Sequence, residues 1–579
     1  MAAAVAALLL GLVAALVAAP PARGAAQTPG SAVTDPDALR QPASSNRAPA
    51  GRVRSARQVE AIAGRLPDVR RTLRSHPGAT RTAFLKGRDR WQVSYYARRR
   101  RGASPKEIAQ VEIHDRSGHV LEHWTGFQVA WTMARGYPGA FGRKAAALYV
   151  WLPLCLLFLA PFVTPRRPLR LLHLDLLAVL AFSVSLAFFS HGRIGLSVPL
   201  AYPPLLYLLV RMAMIARRGS GRASSEPLRL LVPVSWLAVA IVFLVGFRVG
   251  LNVINSNVID VGYAGVIGAQ RLTDGERLYG SFPADNQHGD TYGPVNYFAY
   301  VPFRAVLGWS GHWDDLPAVH AASVAFDLLT MLALWLLGRR IRGPAMGVVL
   351  AYAWAANPFT LFVSNSNSND SLVALLGALA LLVAARPLVR GAIVAWAGLT
   401  KLAPLVLAPL FATAGPPGVG PAGGARRAAV FWVGFVAAAA IGLSTVIAGN
   451  EWHAVYERTL EFQRSRGSPF SVWGLYGGID WLQTAVQVAA VAFALAAAVI
   501  PRRRDLVGLA ALAGAVTIAA QLGVTHWFYL YIVWFLPFVL VALFGRYAIW
   551  ESPRPGDRGG RGRAGLDQVP AREATAGAA

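Results

Sequence analysis

Residues 228–263 read LRLLVPVSWLAVAIVFLVGFRVGLNVINSNVIDVGY, and the fold turns on the change of character within them. The first part, 228–247, is long and apolar enough to cross a bilayer as a helix, because about 20 apolar residues span a hydrocarbon core of roughly 30 Å. Polar groups then arrive in quick succession: Asn252, Asn255, Ser256, Asn257 and finally Asp260. A carboxylate just past the mouth of a membrane helix can meet one reactant held in lipid and another that comes from water.

Similar apolar runs recur along the chain. The 579 residues are 55% hydrophobic and 15% charged, with a mean hydropathy of +0.42, which a water-soluble domain does not show. Runs at 149–163, 171–190, 194–215, 228–247, 316–337, 345–363, 371–385, 430–447, 481–500, 506–522 and 526–544 read as transmembrane helices. A further run, 393–411, is interrupted by Lys401, Pro404 and Pro409. The expected fold is therefore a polytopic α-helical membrane protein of eleven or twelve spans. Cys155 stands alone in an apolar helix, which leaves no disulfide and no thiolate metal site.

The formal net charge of +27 would suit nucleic acid, but its distribution does not. Residues 1–144 carry 23 basic and 9 acidic side chains, and most of the remaining excess sits in short loops between spans. Loop arginines of that kind mark the cytoplasmic side. Arg166, Arg167 and Arg170, then Arg217, Arg218 and Arg222, then Arg339, Arg340 and Arg342, then Arg426 and Arg427, and Arg502, Arg503 and Arg504 are all expected there. Residues 547–579, rich in Pro, Gly and Arg, read as a disordered cytoplasmic tail. Arg386 and Arg390 fall on the same side, so 393–411 must enter the membrane and return as a re-entrant pair broken near Lys401 and Pro404. Irregular backbone at that depth requires burial in protein or a cavity.

Ahead of the bundle, residues 1–26 read as a signal peptide or an uncleaved anchor, with small residues near Gly24 but no basic leader. Residues 27–52 read as a Pro-, Ser- and Ala-rich linker. Residues 53–144 form a small polar α+β unit: a helix over 53–73, kinked at Pro67, with Val59, Ile62, Leu66, Val69 and Leu73 on its inner face, then alternating strands at 91–96 and 108–113 and a turn at 115–118 leading to 120–124. The run VEIHDRSGHVLEHWTG within it resembles the PepSY-type extracytoplasmic domain, which implies a binding or regulatory module. His114, His119 and His123 fit strand and turn positions better than a metal site.

The outer loop from Arg248 to Asp315 is about 68 residues, long enough to be functional. Val258, Val261, Val266, Ile267 and Leu272 suggest an interfacial amphipathic helix in it. Its order of motifs, an Asp after a span, then GERLYG and TYGPVNYFAYVPF, resembles the first outer loop of GT-C glycosyltransferases. NSNSNDS at 365–371, GLTKLAPLVLAPLF at 398–411, RSRGSPFSVWGLYG at 464–477 and THWFYLYIVWFLPF at 525–538 extend the likeness over about 280 residues. The closer resemblance is to bacterial polyprenyl-phosphate-mannose-dependent mannosyltransferases. It implies a hexosyltransferase of the bacterial plasma membrane, multi-pass, with its site facing the extracytoplasmic side. Such an enzyme transfers a sugar, by default mannose, from a polyprenyl-phosphate donor to a membrane lipid or cell-envelope glycan, with inversion. The lipid-linked donor is a substrate; no cofactor and no metal are implied.

That chemistry assigns roles to residues. The leaving group is already a phosphate, so the main need is a general base for the acceptor hydroxyl, and Asp260 is the candidate. Its bland alternative is a helix cap before Val261. Many GT-C enzymes carry paired acids here, whereas this chain has Ile259-Asp260; Asp274 and Asp290 are possible helpers. Lys401 is one of only four lysines and the sole one after residue 144. It either holds the donor phosphate or snorkels near a helix end. Arg464, Arg466 and His526 are the other candidates for the phosphate, with His526 opening the last helix. The acids of residues 451–461 are alternative partners for the two arginines. Tyr263, Tyr279, Tyr292, Asn296, Asn369 and Asp370 are expected to line the acceptor cavity, with helix capping the simpler role for Asn369 and Asp370. The competing class is a transporter or flippase, in which Lys401 and Asp327 would be charges along a path. Internal repeats are not apparent, and the polar residues gather in outer loops rather than at mid-membrane.

Overall fold

The computed structural model describes residues 39–98, 106–137, 139–164, 170–218, 227–415, 421–465, 467–500 and 505–550. The expected leader, the first part of the linker, the tail from 551, and Arg166, Arg167, Arg222, Arg466, Arg502, Arg503 and Arg504 lie outside them.

The N-terminal unit is a four-stranded antiparallel meander of β1 (Thr80–Lys86), β2 (Arg90–Tyr96), β3 (Glu107–His114) and β4 (Val120–Thr125). The sequence pattern missed β1 because Arg81 and Lys86 dilute a run whose only apolar side chains toward the helical layer are Ala83 and Leu85, Arg81 meeting that layer through Glu60 at 2.9 Å. The expected single helix is two, Ala56–Ala63 and Pro67–Ser75. Pro67 has no N–H for a helical bond to the preceding turn, so it opens a new helix instead of continuing the old one. Val59 and Val69 pack on Trp91, Val93, Val111 and Ile113, all buried. Residues 39–52, expected as linker, run along this unit: Arg40 pairs with Leu85, and the Arg52 guanidinium donates to Gly87 O at 2.7 Å. The three histidines stay apart, His114 beside Ser117 and Asp89, His123 beside Asp68.

Six helices of the bundle are long and apolar enough to cross a membrane: Leu171–Ser190, Ile194–Arg217, Val234–Ile254, Pro317–Arg342, Gly423–Gly442 and Asp480–Val499. The pair Pro344–Ala356 and Pro358–Asn365, bent by 58° at Asn357 and Pro358, makes a seventh if counted as one span. The remaining apolar runs are shorter helices of 10–17 residues.

One boundary moved in an instructive way. The helix expected at 228–247 is Val234–Ile254, entered after Pro233, while Leu228–Arg229 pairs in parallel with Ile549–Trp550. Arg248 is thus inside the span, not the first residue of the loop. It survives there because its guanidinium donates two bonds to Asp327, at 2.9 and 2.6 Å, with both side chains almost fully buried. Trp354 Nε1 donates to the same carboxylate at 2.9 Å. Asp327, a candidate path charge, is neutralised in place.

The bundle has two unlike ends. Arg339, Arg340, Arg342, Arg386 and Arg427 gather at one, where Arg340 donates to Leu382 O and Arg427 to Ala385 O. The loops 255–316 and 450–479 lie at the other, together with the segment that carries the sheet unit. There Lys144 N donates to Asn255 Oδ1 at 3.0 Å, Asn257 Nδ2 donates to Ala140 O at 2.8 Å, and Trp131 packs on Phe470.

The interrupted run behaves as its arginine flanks require. The helix Pro387–Thr400 runs alongside Pro421–Gly442 in the same direction, with Arg427 against Ala385 at the start and Trp396 Nε1 on Ala438 O further along. The chain between them must therefore turn back. It does so at Lys401, in extended conformation, and returns through Ala403–Leu407 and Ala408–Thr413 to meet Ala498 near the arginine end.

Removing one partner of the buried pair leaves an uncompensated charge. Asp327→Ala is expected to lower stability by about 3–5 kcal/mol, read as thermal melting in detergent micelles, whereas the double change Arg248→Met, Asp327→Leu recovers most of the loss.

Candidate active site

The site begins with asparagines. Asn252 Nδ2 donates to Ser364 O at 2.8 Å and Asn367 Oδ1 at 2.9 Å. Asn367 Nδ2 in turn donates to Ser256 Oγ at 2.9 Å and Asn257 O at 3.1 Å, and Asn365 Nδ2 donates to Asn255 O at 3.1 Å. The backbone joins in: the N–H groups of Asn257 and Ile259 donate to Asn365 O and Ser366 O. Residues 364–371 are entirely buried, and Asn367 adopts φ +49°, a region asparagine tolerates better than most side chains. NVINSNVI and SNSNSNDS are thus two faces of one polar zipper, which sets the position of Asp260.

Asp260 opens the helix Asp260–Asp274, exposed, at the end where the helix dipole favours a carboxylate. Asn286 Nδ2 holds its carbonyl at 2.9 Å. This helix does not lie in a membrane interface as its valines suggested, since residues 262–269 are all buried. The reason is a glycine every third position. A Cβ on Gly262 would strike the carbonyl of Asn367, and Gly265 and Gly268 lie flat on the rings of Tyr300 and Tyr297. Hydropathy does not register such a groove.

Lys401 stands at the apex of the returning segment. Its ammonium pairs with Asp370 and faces the rings of Tyr292 (5.5 Å), Tyr531 (5.5 Å) and Trp534 (5.1 Å). Trp534 Nε1 donates to the same Asp370 oxygen at 2.8 Å, while the other oxygen is buried without a partner. Lys401 therefore does not snorkel; it is 10% exposed and turned to an acid. Asp370 makes no capping bond with its side chain, so it lines the site instead of closing its helix. Trp534 also lines a small apolar pocket with Val373, Gly377, Ala397, Pro404 and Phe538.

The two outer loops close over this apex. Glu451 accepts from the backbone N–H of Leu278 (3.1 Å) and Tyr279 (2.9 Å). Buried Asp290 accepts from Gly280 N at 2.7 Å and faces Arg458 Nε at 3.5 Å. His288 stacks on Phe462. Tyr279 OH donates to Tyr292 O at 2.9 Å, and Asn369 Nδ2 donates to Asn296 Oδ1 at 2.7 Å. Burial first, and then Glu451 and Asp290, push the Tyr279 phenol well up; burial and then Asp285 do the same for Tyr263. Both stay protonated and act as donors.

His526 does not open the last helix, which starts at Ile532 after a 3-10 turn at Tyr529–Tyr531. It sits in the preceding loop, 2.9 Å from Ser468 Oγ and ringed by Trp131, Phe470 and Tyr531. Tyr531 also faces Lys401, so His526 is one ring away from the apex. Arg464 is exposed on Phe462–Ser465, and Arg466 lies outside the described residues. The arginine that does reach the loop interface is Arg458, which nothing in the sequence distinguished from its neighbours. Trp534 was open to inference, because an indole N–H deep in an apolar helix needs an acceptor. Among the described residues, no group of three or more His, Cys, Asp or Glu that could hold a metal ion forms.

Residues 291–524 match the family model of glycosyltransferase family 87. The match covers less than half of the chain and includes Tyr292, Asn296, Asn369, Asp370, Lys401 and the second outer loop, while Asp260 and His526 fall outside it. It indicates a membrane glycosyltransferase of the GT-C type. No curated protein and no solved structure matches the chain.

Gly262→Ala is expected to push the Asp260 helix off residue 367, costing about 1–3 kcal/mol in melting but about 100-fold in sugar transfer, since small misplacements of catalytic groups are expensive. Glu451→Ala should release the second loop: limited proteolysis of membrane vesicles then cuts within 450–479 faster than in the parent, while the helical bundle stays intact.

Proposed function

We propose that the protein transfers a sugar from a polyprenyl-phosphate donor to a hydroxyl of an envelope glycan or lipid, with inversion and with Asp260 as general base. The observation that supports this reading is the Lys401 ammonium, caged by a buried acid and three aromatic rings at the apex over which the two outer loops close. A base for the acceptor and a cation for the phosphate are what an in-line displacement requires. The acceptor oxygen bonds to the anomeric carbon, its proton passes to Asp260, and the bond to the phosphate oxygen breaks. Negative charge then grows on the leaving phosphate, where the Lys401 ammonium stabilises it. Asp370 and Trp534 keep that ammonium in place, and His526, through Tyr531, borders the same pocket.

The arginine-rich end belongs in the cytoplasm by charge, which puts the site and the sheet unit outside. Mannose is the sugar favoured by the likeness to polyprenyl-phosphate-mannose enzymes, and the sheet unit is read as a binding or regulatory module.

Asp260→Asn preserves shape and removes the base. Membranes containing it, supplied with radiolabelled polyprenyl-phosphate mannose, are expected to transfer label about 10²–10⁴-fold more slowly than the parent at equal protein level. Parent-like turnover would overturn the assignment.

A further inference from the structure

Beside Asp260 lies an aromatic group that the reaction as described does not use. Tyr263, one turn along the same helix, is buried beneath Trp313, the two rings stacked at 4.9 Å and 28°. Trp309 meets Tyr263 edge-on at 5.8 Å. Each member is pinned by its polar atom. Trp313 Nε1 donates to Val258 O at 3.2 Å, Trp309 Nε1 to His312 O at 2.9 Å, and Tyr263 OH to Asp285 at 3.1 Å. One face of the Trp313 indole is thus occupied by Tyr263, yet the residue remains 42% exposed. Its anchor, Val258, is two residues before Asp260.

A tryptophan at the end of a span is ordinarily an interfacial anchor. Two features set Trp313 apart from that role. Its N–H is bonded back into the chain and not offered to headgroups. Its neighbours His312, Asp314 and Asp315 are all polar and exposed. An exposed ring held rigidly by a second ring, with carboxylates at its rim, has the chemistry that recognises a sugar. The C–H face of a sugar ring carries slight positive charge and packs on the negative face of an aromatic ring, while its edge hydroxyls donate to carboxylates. Asp285 and Asp314 lie near Tyr263 and Asp315 follows Asp314 in the chain, so an anionic sugar would be repelled.

We propose that Trp313, backed by Tyr263, is an acceptor subsite that takes the ring face of a neutral sugar already present on the acceptor, so that the enzyme extends a glycan instead of founding one. This rests on the reading of Asp260 as the base that defines where the acceptor hydroxyl sits.

The test uses the full chain in detergent micelles, with soluble mannose, arabinose and glucose hexasaccharides as probes and intrinsic fluorescence as readout. At least one hexasaccharide is expected to change the emission of the parent and of Asp260→Asn alike, since binding does not need the base. Trp313→Ala should weaken that binding about tenfold, and Trp313→Phe, which keeps a ring, much less. Equal melting temperatures show that the variants are folded. Unchanged affinity in Trp313→Ala, or no response to any of the three sugars, overturns the subsite. So does selective quenching of Trp313 by brominated acyl chains in lipid nanodiscs, which would make it a membrane anchor. The two readings fail separately. Normal transfer by Asp260→Asn removes the base but not the platform, whereas lost transfer by Asp260→Asn with sugar binding indifferent to Trp313 removes the platform but not the base.

Discussion

The ion pair between Lys401 and Asp370 is the constraint on which the rest of the structure depends. An ammonium at the apex of a segment that enters the membrane and turns back is tolerated only beside a compensating charge. Supplying that charge fixes the start of the Asp370–Leu382 helix against the end of Pro387–Thr400. Trp534 then has to sit where its N–H meets the same carboxylate, which ties the Ile532–Phe544 helix to the other two. Three helices are thereby held by one buried charge pair and one indole. Apolar packing alone would leave their depths relative to each other free to slide, because lipid competes equally for apolar surfaces.

The asparagine zipper does for the outer loop what the ion pair does for the helices. Each amide hydrogen bond adds only about 0.5–1.5 kcal/mol net, but breaking one in a buried setting strands a donor or acceptor at a larger cost. The zipper therefore acts mainly on register. A slip of one residue between 252–259 and 364–367 would leave several buried amides unpaired at once. Asp260, placed at its end, inherits that precision although its own side chain is exposed to water. Gly262 contributes to the same result by admitting the carbonyl of Asn367 against the helix.

Apolar run length located the helices of the bundle, of which six, or seven with the bent pair, are long enough to span against the eleven or twelve expected, and the arginine bookkeeping found the chain reversal at Lys401. The same reasoning failed at Arg248, where a charge was read as the end of a span. Its partner Asp327 is 79 positions away, and a pairing over that distance leaves no local trace. Capping was the simpler role weighed for Asp370 beside cavity lining, because local rules see the helix start but not the lysine 31 positions later. The glycine groove of the Asp260 helix went unseen for a different reason: hydropathy scores what a residue adds, whereas Gly262, Gly265 and Gly268 matter for what they leave open. Arg458 carried no signal at all, since its role depends on a carboxylate, Asp290, in a separate loop.

The family match begins at residue 291 and ends at 524. Within it lie the lysine, its acid and its aromatic neighbour Tyr292, the parts that would meet a phosphate. Ahead of it lie Asp260 and Tyr263, on the side where the acceptor would arrive, while Trp313 belongs to the short connection into the Pro317–Arg342 helix. The two sides touch through the zipper and through Gly293 N on Thr400 O, beside the apex. An enzyme built this way can change what it glycosylates by altering residues 260–290 and 308–315, which are loop or loop-borne helix, without disturbing the buried pair that would hold the donor. On the proposed reading, donor recognition would sit in the charge-locked part of the molecule and acceptor recognition in the loop part, held by the amide row and by carboxylates such as Glu451.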